Sequence, residues 1–153
     1  MSLRLALAGP MAVGKTTTAR IVAARLAVPF VDLDEALGSI PARFAEGGEA
    51  LFRIAESEKL RALVAGHGVL ALGGGTLQRE ENRRALADWK VVILMAREET
   101  LEPRLAGSTG RPLADRWRAL LAERTPVWLD YGEPVWVDGL DSDAVAEAVV
   151  ARC

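Results

Sequence analysis

The sequence predicts an α/β domain in three layers, with a central five-stranded parallel sheet covered by helices on both faces. Two observations lead to this fold class. The strand-like segments are continuous apolar runs such as Val91-Val92-Ile93-Leu94-Met95, as expected where both faces of a parallel sheet are buried. Between them lie segments with apolar residues at helical spacing, and a strand-helix-strand alternation closes through right-handed crossovers. The 153 residues, 50% of them hydrophobic, suit one such domain with no second one required.

The elements follow in order along the chain. Residues 3–8 read as the first strand, and the helix after it places Ala19, Val22, Ala23 and Leu26 on one face. Residues 29–31 form a short second strand. Residues 68–72 form a third, which ends at Gly73-Gly74-Gly75. Residues 90–95 and 134–137 supply the fourth and fifth, and residues 141–152 a closing helix with Ala144, Val145, Ala148 and Val149 inward. The core of this single domain, 1–153, comprises residues 1–34, 66–106 and 115–153. Outside it stand a mostly helical segment, 35–65, and the glycine-flanked segment 107–114. Both are placed to move over a bound ligand.

Composition narrows the function classes. A net charge of −2, with both signs spread along the chain, argues against a general nucleic-acid surface. No apolar run approaches the ~20 residues of a membrane span, and the N-terminus enters the first strand with no signal-peptide pattern, so a cytoplasmic location is expected. Cys153 is the only cysteine, which excludes an intrachain disulfide, and the only histidine, His67, lies between two glycines as a turn residue. Cysteine or serine-histidine catalysis is therefore unsupported. The four tryptophans, Trp89, Trp117, Trp128 and Trp136, adjoin apolar elements and read as packing residues.

The run Gly9-Pro10-Met11-Ala12-Val13-Gly14-Lys15-Thr16 fits G-x-x-x-x-G-K-[ST], between the first strand and its helix. In such a loop the backbone N–H groups of residues such as Ala12, Val13, Gly14, Lys15, Thr16 and Thr17 point at phosphate oxygens. The lysine bridges the outer phosphates, and the threonine hydroxyl reaches Mg²⁺. The chain has only three lysines among nineteen basic residues, and one of them is Lys15. A nucleoside triphosphate is the implied ligand.

A signalling GTPase needs a guanine-reading N-K-x-D, but the only asparagine, Asn82, is followed by Arg83. The third strand ends in glycines, so the acid that supports Mg²⁺ comes from elsewhere. Asp32 and Asp34, just after the second strand, are the candidates. Strand ends of an open α/β sheet face the ligand crevice, although two solvated turn aspartates would read the same way. Arg53 and Glu56 lie three apart on a helix over residues 48–65, with Leu51, Ala55, Leu60, Leu63 and Val64 inward. By themselves they read equally as a surface ion pair or as part of a binding site. The three glycines suit a sharp turn or a close approach of backbone to ligand.

Taken together, these pieces resemble the shikimate kinases. The P-loop, Asp32-x-Asp34, Phe52-Arg53 with Glu56, Gly73-Gly74-Gly75, Arg111-Pro112-Leu113 and Arg124-Thr125-Pro126 fall in family order over nearly the whole chain. The resemblance implies a P-loop fold of the nucleoside monophosphate kinase type. It implies transfer of the γ-phosphoryl of ATP to the 3-hydroxyl of shikimate with Mg²⁺, in the chorismate and aromatic amino acid pathway, by a monomer.

It also implies roles. Lys15, Asp34 and Arg111 are catalytic; Thr16 ligates Mg²⁺ directly and Asp32 through water. Asp34, Arg53, Gly74 and Arg124 bind the acceptor, the two arginines on its carboxylate. Arg104 packs on adenine, and Arg111 swings in from the lid. Asp34 either aligns the acceptor hydroxyl or accepts its proton. The chain departs from the family pattern at Ala12, where a third P-loop glycine is usual, and in a shorter stretch between Asp34 and Phe52. Another small-metabolite kinase, such as one acting on gluconate, would need a different use for the arginine pair. A regulatory module that transfers nothing would have no use for an acceptor-side carboxylate.

Overall fold

The structure, a computed structural model, describes residues 2–38, 40–106 and 116–153, and of residues 40–46 the backbone alone. Five strands, β1 (Arg4–Ala8), β2 (Phe30–Asp32), β3 (Gly68–Ala71), β4 (Lys90–Met95) and β5 (Glu133–Trp136), pair in parallel in the order β2-β3-β1-β4-β5. Leu7 of β1 faces Ala71 of β3 on one side and Val92 of β4 on the other. The central position of β1 sends the loop that leaves it into the crevice at the carboxyl ends of the strands.

Side chains alternate across the pleat, which explains why the strands are apolar throughout. Leu5, Leu7, Val69, Val92 and Leu94 pack with Ala19 and Val22 of α1 (Lys15–Leu26) and Val145 and Val149 of α7 (Ser142–Val150). On the other face, Ala6, Ala8, Leu70, Leu72 and Ile93 pack with Phe52 and Leu60 of α3 (Ile40–Leu63) and Trp128 of α6 (Trp117–Tyr131). Short helices α2 (Leu33–Leu37), α4 (Glu80–Ala85) and α5 (Glu98–Ala106) complete the layers, with a 3₁₀ turn at Thr76–Gln78. The predicted three-layer α/β class is the observed one. No helix among the described residues is long and apolar enough to cross a membrane.

Five local expectations need correction. Strand β2 runs one residue later than expected and ends on Asp32, whose carboxylate caps α2 by accepting from the Glu35 N–H. Helix α3 starts earlier, at Ile40, and breaks at Gly48, where φ is 73°. Leu51, expected inward, is 51% exposed, because the buried stripe of α3 runs through Phe52, Glu56 and Leu60. Trp136, at the end of edge strand β5, is 50% exposed and packs on one side only. In α7, Asp141 is the N-cap, and Ala146 takes the buried place expected for Ala144. The expected lid, residues 107–114, lies outside the described residues.

Candidate active site

The glycine-rich loop between β1 and α1 is shaped by its backbone. A side chain at Gly9, where φ is +136°, would overlap the Leu94 carbonyl oxygen of the neighbouring strand. Gly14 takes the left-handed conformation as N-cap of α1, so Lys15 and Thr16 open the helix at its positive end, where backbone N–H groups favour an anion. Ala12, where the family usually has glycine, is also left-handed, at φ 66°. Lys15 Nζ donates to the carbonyls of Gly9 at 2.7 Å and Pro10 at 2.9 Å, which holds the ammonium across the mouth of the loop. From the last turn of α5, Arg104 Nη1 donates to the Ala12 carbonyl at 3.0 Å, tying that helix to the phosphate loop.

Two aspartates enter from the neighbouring strand. Asp32 is buried at the end of β2; one of its oxygens caps α2 and the other accepts a short hydrogen bond from the Thr16 hydroxyl. Hard oxygen donors on a hydroxyl and an adjacent carboxylate suit Mg²⁺, which keeps several waters and binds few protein groups. Two residues further, Asp34 lies on α2 facing the same crevice. Burial pushes its carboxyl above the ordinary value, against the opposing pull of the Lys15 ammonium. The Asp32 and Glu56 carboxylates add to the rise, and the Arg53 guanidinium opposes it.

The far wall is built from α3, α6 and the glycine turn after β3. Arg53 Nη1 donates to Glu56 Oε1 at 3.0 Å, and its Nη2 lies 3.7 Å from Glu49. Glu56 is 0% exposed, so this pair is not the surface ion pair that the sequence allowed. Arg124, 6% exposed, sits in α6 beside Pro126, which has no N–H to continue the helical ladder, and the Thr125 hydroxyl donates back to the Leu121 carbonyl at 2.6 Å. Burial, and next the like charge of Arg53, lower the Arg124 guanidinium from its ordinary value. Among the described residues Arg124 makes no ion pair.

Both guanidinium groups rest on glycine backbone. A β-carbon at Gly75 would stand 2.7 Å from Arg53 Nη2, and one at Gly74 would stand 2.9 Å from Arg124 Nη1. One at Gly73 would meet Glu56 Oε2 at 2.9 Å and Asp34 Oδ1 at 3.1 Å. The three glycines therefore serve close approach as well as turning, and the structure brings Lys15, Thr16, Asp32, Asp34, Arg53, Gly74 and Arg124 to one crevice. Arg104 stands at its rim beside Ala12 and Val13, Thr17 is exposed on α1, and Arg111 lies outside the described residues.

Sequence reasoning passed over Thr76, whose hydroxyl donates to Glu56 Oε2 at 2.8 Å within the protein interior. The only signal for it was its place directly after the glycines.

Phosphate loop, paired aspartates and two arginines, Arg124 buried and Arg53 half-buried, on a five-stranded parallel sheet define a small P-loop kinase. The comparisons give the family. A shikimate kinase family model matches residues 11–151. A shikimate kinase of Streptomyces coelicolor is 35% identical over 95% of this chain and 92% of its own length, and one of Deinococcus radiodurans is 38% identical over 97% and 82%. Among solved structures, shikimate kinase from Acinetobacter baumannii in complex with shikimate superposes with a TM-score of 0.89 at 29% identity, covering 98% of this chain and 92% of that one. The chain belongs to the shikimate kinase family.

Proposed function

We propose that this chain transfers the γ-phosphoryl of ATP to the 3-hydroxyl of shikimate, giving shikimate 3-phosphate and ADP, with Mg²⁺ bound. The observation that carries this reading is the position of Asp34, with the Lys15 ammonium and the Arg53 guanidinium as its electrostatic neighbours and the glycine turn, on which Arg124 also rests, alongside. A triphosphate on the loop and a carboxylate on Arg53 and Arg124 would bracket that side chain.

Phosphoryl transfer asks mainly for positioning and charge stabilisation. Lys15 and the backbone N–H groups of residues 12–17 hold the phosphates. Arg53 and Arg124 grip the acceptor carboxylate with planar forks, and Gly74 offers backbone that no side chain obstructs. The acceptor oxygen bonds to the γ-phosphorus as the bond to the β,γ-bridging oxygen breaks, and ADP leaves with that electron pair. The hydroxyl proton goes to Asp34, whose raised carboxyl makes it a stronger base than an exposed aspartate. The Thr16 hydroxyl would hold Mg²⁺ with phosphate oxygens, and Asp32 would support it through water. When bound, the ion would supply positive charge that offsets the negative charge of the phosphates. Arg104 borders the nucleotide at the loop, and Arg111, by family resemblance, would add charge from the 107–114 lid. The 35–65 segment carries the acceptor side of one domain, which works as a monomer in the cytoplasm within the chorismate and aromatic amino acid pathway.

An acceptor panel of shikimate, quinate, gluconate and nucleoside monophosphates, read as ADP release with ATP and Mg²⁺, tests this. Release that shikimate stimulates most supports the reading; equal release with every acceptor, or with none, would falsify it.

A further inference from the structure

Glu56 is a fully buried carboxylate, and such a group is tolerated only when both oxygens are engaged. Oε1 holds Arg53 and Oε2 holds the Thr76 hydroxyl, at 3.0 and 2.8 Å. Thr76 is itself fixed from two sides: its N–H donates to the Gly73 carbonyl at 3.3 Å, and its carbonyl accepts from Asn82 Nδ2 at 2.8 Å. Asn82 is buried as well, so a chain of interior hydrogen bonds runs from α4 through the glycine turn to α3 and ends on the Arg53 guanidinium. The same turn carries Gly75, against which Arg53 Nη2 is packed.

We infer that Thr76 is a positioning residue for the acceptor, acting through Glu56 to fix the orientation of the Arg53 fork; this rests on the acceptor reading given above. Thr76 touches neither phosphate nor acceptor in this scheme. Its hydroxyl leaves the Glu56 carboxylate one orientation in which Oε1 faces Arg53. Without that donor the carboxylate turns to recover a partner and the guanidinium loses its register over Gly75. A bidentate grip on a carboxylate depends on that register.

Steady-state kinetics and NMR of Thr76→Val, Thr76→Ala and Thr76→Ser test the inference. Loosening a hydrogen bond to a charged group predicts an acceptor KM raised about tenfold in the Val and Ala variants, with kcat and the KM for ATP within about threefold. The Ser variant restores it. In an Arg53→Ala background, Thr76→Val adds no further rise, because both changes remove one device. In the unliganded protein, the hindered rotation of the Arg53 guanidinium, read from its Nη–H signals, is lost in Thr76→Val and kept in Thr76→Ser. An acceptor KM unchanged in folded Val and Ala variants, or an equal loss with and without Arg53, overturns the inference. The NMR readout needs no acceptor: slowed rotation that depends on Thr76 in a protein inactive on shikimate upholds the positioning and overturns the activity proposed above. Should the Val variant fail to fold, the Ala and Ser pair carries the same comparison.

Discussion

Arg53 and Arg124 reach one glycine turn from two helices: Arg53 Nη2 sits 2.7 Å from where a Gly75 β-carbon would stand, and Arg124 Nη1 sits 2.9 Å from that of Gly74. Arg53 is ion-paired with Glu56 and lies near Glu49, while among the described residues Arg124 makes no ion pair and is buried beside the like charge of Arg53. Two guanidinium groups held this close favour an anion between them.

Replacing Arg124 by Lys keeps the charge and removes the fork. We predict a loss of about 2–3 kcal/mol in kcat/KM for the acceptor, with the KM for ATP nearly unchanged. Steady-state kinetics with each substrate varied in turn checks this. An equal rise in both KM values would show that Arg124 does not distinguish the acceptor.

Gly75→Ala places a methyl group against the far end of the Arg53 side chain, which can swing aside while the backbone stays in place. The predicted outcome is a protein with an unfolding temperature close to the parent's and a raised acceptor KM. Thermal unfolding and kinetics on the same preparation separate this from a general loss of structure.

The carboxyl of Asp34 is raised above its ordinary value, chiefly by burial. The native state therefore binds this proton more readily than the unfolded chain, and ionised Asp34 detracts from stability. That penalty is absent below the unfolded carboxyl pKa of about 3.9 and complete above the native value. Asp34→Asn should unfold at a higher temperature than the parent at pH 8, with the gap closing toward pH 4. In the parent, kcat should fall as the pH is lowered through a group titrating above the ordinary aspartate range, because Asp34 must be ionised to take the proton. Calorimetry and a pH-rate profile check the two halves.

Ala12 holds a left-handed backbone at φ 66°, which costs an L-residue roughly 1–2 kcal/mol. Glycine removes that strain and gives part of it back through the freedom of the unfolded chain. Ala12→Gly should raise stability by up to about 1 kcal/mol in urea unfolding.

Thr16 donates to Asp32 where Mg²⁺ is proposed to bind. Thr16→Val should shift the Mg²⁺ dependence of ADP release to higher concentration by about tenfold, consistent with loss of one ligand. A titration at fixed ATP reads the shift directly.

What was legible in the sequence was local or carried by motif. The strands are short, mostly apolar runs, and the loop from Gly9 to Thr16 is contiguous, so both could be read without long-range information. Arg53, Arg124 and the glycines came from order along the chain, and the structure adds that they touch. Helix α3 was misphased for a physical reason. Its buried stripe includes Glu56 and Ser57, so assigning inward positions to apolar residues alone rotated the helix and put exposed Leu51 inside. Thr76 was invisible because its partner is 20 residues away and a lone threonine after a turn carries no pattern.

The central claim is a transfer between two named oxygens, and labelled phosphate follows it most directly. With ATP labelled on the γ-phosphorus, Mg²⁺ and shikimate, the parent protein should place the label on the 3-hydroxyl of shikimate. Lys15→Met and Asp34→Asn proteins that remain folded should place almost none there. Label appearing as inorganic phosphate at the same rate with and without shikimate would contradict the account.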